Sequence, residues 1–161
     1  MSEVFQAIAG EFADLTAVQF AKFAVRLVLA GGLAALLGWE RWRAGKSAGI
    51  RTHVLVGLGA AGFAAVPLQA GAGPDGVSRV LQGVAAGIGF LGAGCIMKHE
   101  GETVHGLTTA AGIWLTAVVG ISAGLGRCGS AILLAAAGLF TLSVLGRWEH
   151  STWSGTGHRP V

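Results

Sequence analysis

Ionisable side chains are concentrated between residues 40 and 53. This stretch contains Glu40, Arg41, Arg43, Lys46, Arg51 and His53, with Thr52 beside the histidine. A carboxylate next to Arg41 could form a fixed ion pair or attract a cation. Alternatively, the basic residues only hold a loop at a membrane surface, where each one contributes about 1 kcal/mol of attraction to anionic headgroups. Residue types alone leave both interpretations open.

A second group of residues with chemical potential occupies positions 87–109. Its first half carries four glycines in eight residues, which are Gly87, Gly89, Gly92 and Gly94. Each glycine costs a soluble helix roughly 1 kcal/mol relative to alanine. In a bilayer, glycines can instead allow close helix contact or let a helix open beside a ligand. Thr108 and Thr109 supply hydroxyls at a predicted helix start, where they could cap free amides.

The loop between the glycine segment and Thr108 superficially resembles a metal-binding cluster. It holds His99, Glu100, Glu102 and His105, but their spacing matches no common zinc pattern, and an ordinary solvated loop is the stronger interpretation. We therefore expect no resident cofactor. Mg²⁺ enters only as a ligand or a transported ion, with Glu40 as a weak candidate to bind it.

The elements that carry these residues are predicted to cross a membrane. The 161 residues are 53% hydrophobic and only 12% charged, with a mean hydropathy of +0.66, whereas soluble domains average about 25% charged residues. A spanning helix needs about 20 mainly apolar residues. The sequence predicts an all-α polytopic membrane protein with five transmembrane helices, at Ala21–Gly38, Val54–Ala70, Arg79–Met97, Leu107–Leu125 and Ser130–Gly146.

Lysine and arginine set the predicted orientation, because cytoplasmic loops are enriched in them. These residues are Arg41, Arg43, Lys46 and Arg51 in the loop after span one, Lys98 after span three, and Arg147 and Arg159 in the tail. Their distribution places the N-terminus outside and the C-terminus inside. Residues 1–18 are expected to form an external amphipathic segment, 19–147 the membrane domain, and 148–161 a disordered cytoplasmic tail. Arg26 either snorkels to the headgroups or pairs inside the bundle. Cys95 and Cys128 are placed near opposite membrane faces, as packing residues.

Small residues recur at every fourth position in two spans. Span four carries Gly112, Thr116, Gly120 and Gly124, and span three carries a GxxxG pair formed by Gly83 and Gly87. Such rows permit close helix approach within one chain or between two copies. Packing inside the chain and a homodimer seam remain equal alternatives.

Several function classes lack support. The sequence has no Walker motif, no GxSxG, no HExxH and no nucleotide-binding fingerprint, so we expect no enzyme. Its net charge of +3 is too small and scattered for nucleic-acid binding. No acidic residue falls at the centre of a predicted span, where a cation-coupled carrier normally has one.

Three sequence blocks resemble the MgtC/SapB family of membrane proteins. They are Glu40–Arg41 followed by residues 46–56, the glycine segment 87–97, and Gly106 to Trp114, in order and within roughly Leu33 to Gly126. The resemblance implies a five-span bacterial inner-membrane protein with an external N-terminus. Longer members continue into a soluble cytoplasmic domain, which has no counterpart in these 161 residues, so activities of that domain are not carried over.

The resemblance also implies a role in growth at low magnesium and, in pathogens, in survival inside phagocytes. Better-known members resemble regulators that contact other membrane proteins, including the ATP synthase or transporters. The motif positions expected to carry family function are Glu40, Arg41, Lys46, Arg51, Thr52, His53, Gly87, Gly89, Gly92, Gly94, Thr108, Thr109 and Trp114. We favour a regulator that binds other membrane proteins or a second copy. The alternative is an oligomeric Mg²⁺ transporter or channel lined by Glu40 and the glycine-rich span.

Overall fold

A computed structural model describes residues 2–11, 15–96 and 104–146 of the chain. Within them the architecture is all-α, and five helices are long and apolar enough to cross a membrane. This confirms the predicted fold class. The helices are α1 (Ser2–Glu11), α2 (Ala17–Arg43), α3 (Ile50–Gln69), α4 (Pro74–Ala93), α5 (Leu107–Gly124) and α6 (Cys128–Phe140), the last continuing as a π-helix over Thr141–Leu145. The 148–161 tail, like the loop residues 97–103, lies outside the described residues.

The first spanning helix is longer than predicted at both ends. It begins at Ala17 because Thr16 forms a capping box with Gln19, in which each side chain bonds the other residue's backbone amide. It ends only at Arg43, where Gly45 adopts φ +67° and two backbone bonds close the helix end. Glu40, Arg41 and Arg43 are therefore helical, and the predicted first loop shrinks to residues 44–49.

The other boundaries shift for equally local reasons. α3 begins at Ile50, four residues before the predicted start, so that His53 lies inside the helix. α4 begins at Pro74, a residue whose fixed φ suits a first helical position. α4 also runs without a break through Gly87, Gly89 and Gly92. Of the two alternatives for these glycines, the opening of the helix is therefore not seen between Pro74 and Ala93.

Helices α2, α3 and α5 form the tightly packed centre of the bundle through rows of small residues. An added Cβ on Gly57 of α3 would lie 2.7 Å from the Ala34 Cβ of α2. On the other side of α3, a Cβ on Gly120 or Gly124 of α5 would collide with the carbonyl oxygen of Gly57 or Ala61. With no side chain at these points, the helix backbones approach closely and gain dispersion contacts along their length.

Arg26 links α2 to α5 within this group, at the end of the bundle opposite the 44–49 loop. Its Nη1 donates to the carbonyl oxygen of Gly124 at 3.0 Å, in the last turn of α5. Its guanidinium lies over Gly126, whose φ of +76° ends that helix. Of the two alternatives for Arg26, the structure has the pairing inside the bundle. A cation at a helix C-terminus is favourable because the unsatisfied carbonyls carry partial negative charge.

Helix α4 is packed more loosely than the central group. Only Val77 and Gly92 are buried along its 20 residues. Two apolar grooves flank it: one of about 480 Å³ against α3, and one of about 670 Å³ against α5 and α6. One long face of α4 is consequently left uncovered by the parts of the chain that the structure describes.

Candidate functional site

Polar side chains from three helices converge where α2 ends and where α3 and α5 begin, which we call the basic end of the bundle. Arg41 of α2, His53 of α3 and Thr109 of α5 are only 4%, 0% and 3% exposed. Together with Glu40 they form the polar junction. Burial of an arginine and a histidine is unusual, because each must lose water that the protein has to replace with other partners.

A close crossing of α2 and α3 creates the polar junction. An added Cβ on Gly38 would lie 2.7 Å from Ile50 Cα and 3.0 Å from His53 Cβ. Arg41 follows Gly38 by three residues, so it shares the face of α2 that turns toward the first turn of α3. The short 44–49 connection keeps the two helix ends together.

The charge of Arg41 is balanced by its neighbour in sequence. Arg41 Nη1 donates to Glu40 Oε2 at 3.2 Å, and the Glu40 side chain is 18% exposed. The arginine also lies in the last turn of α2, where the helix dipole favours a cation. Its Nε, however, is buried and has no hydrogen-bond partner among the described residues.

His53 is held by one ring nitrogen and free at the other. Nδ1 lies 3.0 Å from the carbonyl oxygen of Gly49, which can only accept, so Nδ1 carries the proton. Nε2 faces α5, where an added Cβ on Gly112 would lie 3.6 Å away. Like Arg41 Nε, His53 Nε2 is buried without a partner.

Other predicted site residues lie outside this junction. Lys46, Arg51 and Thr108 are exposed, and Thr52 is half-buried. α5 begins at Leu107 with Gly106 as its N-cap, so the hydroxyls of Thr108 and Thr109 do not cap it as predicted. Among the described residues, no group of three His, Cys, Asp or Glu could hold a metal ion.

The glycine segment forms a separate region on α4. Gly87 and Gly89 have open space where a Cβ would be, while Gly92 packs on Ala110 of α5 and Gly94 ends the helix. Trp114 is 47% exposed and lines the larger groove with Gly89 and Gly92. The structure therefore brings Gly89 and Gly92 together with Trp114, and places Gly87 in the other groove, against α3.

The two rows of small residues have different surroundings. Gly112, Thr116, Gly120 and Gly124 all face the interior, and the Thr116 hydroxyl donates to the Gly112 carbonyl oxygen at 2.8 Å. The row on α5 thus packs against α3 of the same chain. Gly83, in contrast, has no neighbour within 4 Å of an added Cβ.

Comparison with known proteins shows the family of this chain. The family model described as "MgtC family" matches residues 27–151, which include all five spanning helices except the first turns of α2. The chain belongs to the MgtC family.

Among MgtC-family relatives, the protein SrpB of Synechococcus elongatus is 42% identical over 80% of this chain and 77% of its own length. The putative magnesium transporter YhiD of Escherichia coli K12 is 44% identical over 66% of this chain. MgtC of Salmonella typhimurium is 43% identical over 68% of it. The alignments take in only 52% of YhiD and 46% of MgtC. No solved structure matches the chain.

Sequence patterns did not single out the two small-residue rows that complete the central helix group. Ala30, Ala34 and Gly38 recur at every fourth position of α2, as do Gly57, Ala61 and Ala65 on α3. Ala30, Ala34, Ala61 and Ala65 have no exposed surface at all. The signal was the same spacing already noticed on α5, but alanine is too common in apolar segments for the pattern to draw attention.

Proposed function

We propose that this chain is a regulator in the bacterial inner membrane that acts in magnesium homeostasis and adaptation to low magnesium by binding another membrane protein. The magnesium link is supported by its relatives, one of which is named a putative magnesium transporter. The regulatory role is supported by the unpartnered face of α4, which offers a surface for a transmembrane helix. Transporters and ATP-synthase-type complexes are the partner classes we propose.

The face of α4 has the shape that helix association in lipid requires. Gly83, Gly87 and Phe90 follow each other at spacings of four and three residues, which puts them on one side of the helix. The two glycines leave open space, and the Phe90 ring projects with 85% of its surface exposed. Close approach at glycines supplies the dispersion contacts that drive association where lipid offers no hydrophobic gain.

Substitution on this face tests the proposal. In a bacterial host lacking its own family member, we expect Gly83→Val and Gly87→Val to abolish growth rescue at low magnesium while the protein still accumulates in the membrane. Gly62→Val is the matched control, because Gly62 on α3 also has open space around it. Full rescue by both α4 variants would contradict the proposal.

Transport of Mg²⁺ by an oligomer is the alternative. It is weakened by two observations: α4 is unbroken, and the Glu40 carboxylate is already paired with Arg41. The decisive measurement is Mg²⁺ flux into proteoliposomes containing the purified protein. We expect no saturable uptake, and uptake that disappears in Glu40→Gln would favour transport instead.

A further inference from the structure

The polar junction contains two buried nitrogen atoms that the described residues leave unpaired. They are Arg41 Nε and His53 Nε2, on side chains that are at least nine-tenths buried. A buried polar atom without a partner costs about 1–3 kcal/mol. Such atoms therefore mark positions where a water molecule, an ion or a ligand completes the hydrogen bonding.

The two atoms require different hydrogen-bond partners, one an acceptor and the other a donor. Arginine nitrogens only donate, so Arg41 Nε requires an acceptor. Since His53 Nδ1 donates to the Gly49 carbonyl oxygen, the singly protonated ring presents Nε2 as an acceptor, which requires a donor. A ligand that satisfies both atoms must carry an acceptor and a donor, and an oxygen beside an O–H group supplies both.

The surroundings favour a ligand with negative charge. Residues 40–53 hold four lysines and arginines against one carboxylate, a balance of four minus one, or +3. Helices α3 and α5 both begin at this end, with Gly49 and Gly106 as N-caps that supply no side-chain bond. No N-cap side chain bonds their first amides, and helix N-termini add partial positive charge of the kind that binds anions elsewhere.

We propose that the polar junction binds a phosphate-class anion that retains one P–O–H group, with Arg41 donating to an oxygen and His53 accepting from the hydroxyl. Monohydrogen phosphate and singly protonated phosphomonoesters have this chemistry. The source is either soluble phosphate or the headgroup of phosphatidic acid, which is a phosphomonoester. This site lies apart from the α4 face and does not rest on the regulatory role.

Sulfate is the matched probe, because it resembles phosphate in size and charge but carries no proton near neutral pH. The full chain in phosphatidylcholine nanodiscs is titrated calorimetrically with inorganic phosphate and with sulfate. We expect phosphate to bind at least about tenfold more tightly, the effect of one hydrogen bond to a charged group. Equal binding of the two anions would overturn the proposal, and this comparison needs no variant.

Two substitutions then assign the contacts. Arg41→Lys keeps the charge but removes Nε, and His53→Asn can keep the bond to the Gly49 carbonyl oxygen while removing Nε2. We expect the first to weaken phosphate binding about tenfold and the second to abolish the preference over sulfate. Lys22→Gln, which removes an exposed charge at the opposite end of α2, is the control. Unchanged phosphate binding in both junction variants, with unaltered thermal unfolding, would refute the site.

A lipid arm distinguishes the two sources. Nanodiscs containing phosphatidic acid or phosphatidylglycerol are compared by native mass spectrometry of the released protein. Selective retention of phosphatidic acid, lost in Arg41→Lys and His53→Asn, identifies the lipid as the source. Calorimetric binding of phosphate without lipid retention identifies the soluble anion. Neither response would mean that water alone fills the junction, and the proposal would fail.

Discussion

The charge of Arg41 is buried, and its ion pair with Glu40 offsets part of the cost of that burial. Breaking a fully buried pair by removing one partner costs about 3–5 kcal/mol. Because Glu40 remains partly exposed, we expect Glu40→Gln to lower the free energy of unfolding by a smaller amount, about 1–3 kcal/mol. Denaturant titration in detergent measures this, with the exposed Arg43→Gln as control, for which we expect a change within about 0.5 kcal/mol. Equal effects of the two substitutions would show that the ion pair is not stabilising.

Arg26 provides a second test at the level of a single side chain. Its bond to the Gly124 carbonyl oxygen satisfies a helix end, so Arg26→Gln should lower the free energy of unfolding by about 1–2 kcal/mol. Lys22→Gln is the control, since Lys22 is an exposed cation one turn earlier on α2. If both variants unfold alike in the same titration, Arg26 acts only as a surface charge.

At the level of helices, a glycine-to-valine substitution should destabilise the protein when it is made in the row on α5 and have little effect on stability in the row on α4. Gly120→Val would drive a side chain into the Gly57 carbonyl oxygen and separate α5 from α3, a backbone contact that cannot yield. We expect a loss of more than about 2 kcal/mol of stability. Gly83→Val, with open space around it, should leave stability within about 0.5 kcal/mol. Comparable destabilisation by the two would contradict the described packing.

Helix locations were predictable from the sequence where apolar length alone decides them. The predicted C-terminal end of α5, Leu125, lies one residue after the observed end at Gly124, because Gly126 adopts a left-handed conformation that stops the helix. For α2 the sequence predicts an end at Gly38, because the charged stretch from Trp39 to Arg43 is typical of a loop, whereas the helix continues to Arg43. Charged residues at a helix end can remain helical, since their side chains reach beyond the apolar layer.

The candidate site was only partly predictable. Glu40, Arg41 and His53 were identified by residue type, but nothing local indicated that Arg41 is buried. Its burial depends on the contact between Gly38 and the first turn of α3, which is a property of two helices and their crossing. The grouping of Trp114 with the α4 glycines likewise depends on how α4 leans against α5.

For the whole molecule, the predicted orientation can be tested with the chain's two natural cysteines. Cys95 follows the end of α4 and Cys128 begins α6, and both are free and half-buried. If the N-terminus is outside, a membrane-impermeant maleimide added to intact spheroplasts should label Cys128 in a Cys95→Ala variant. In inverted vesicles it should label Cys95 in a Cys128→Ala variant. Labelling of both from one side would refute the five-span topology.

The parallel pairing of α3 with α5 has a consequence for biogenesis. α4 leaves the ribosome before α5, yet α5 is the helix that covers Gly57 and Ala61. A nascent chain that ends after α4 therefore exposes the small-residue surface of α3 to lipid, and the central group can close only when translation has passed residue 124. The central helices therefore complete their packing only after α2, α3 and α4 have entered the membrane. Because α4 is loosely packed, it leaves room for α5 to reach α3.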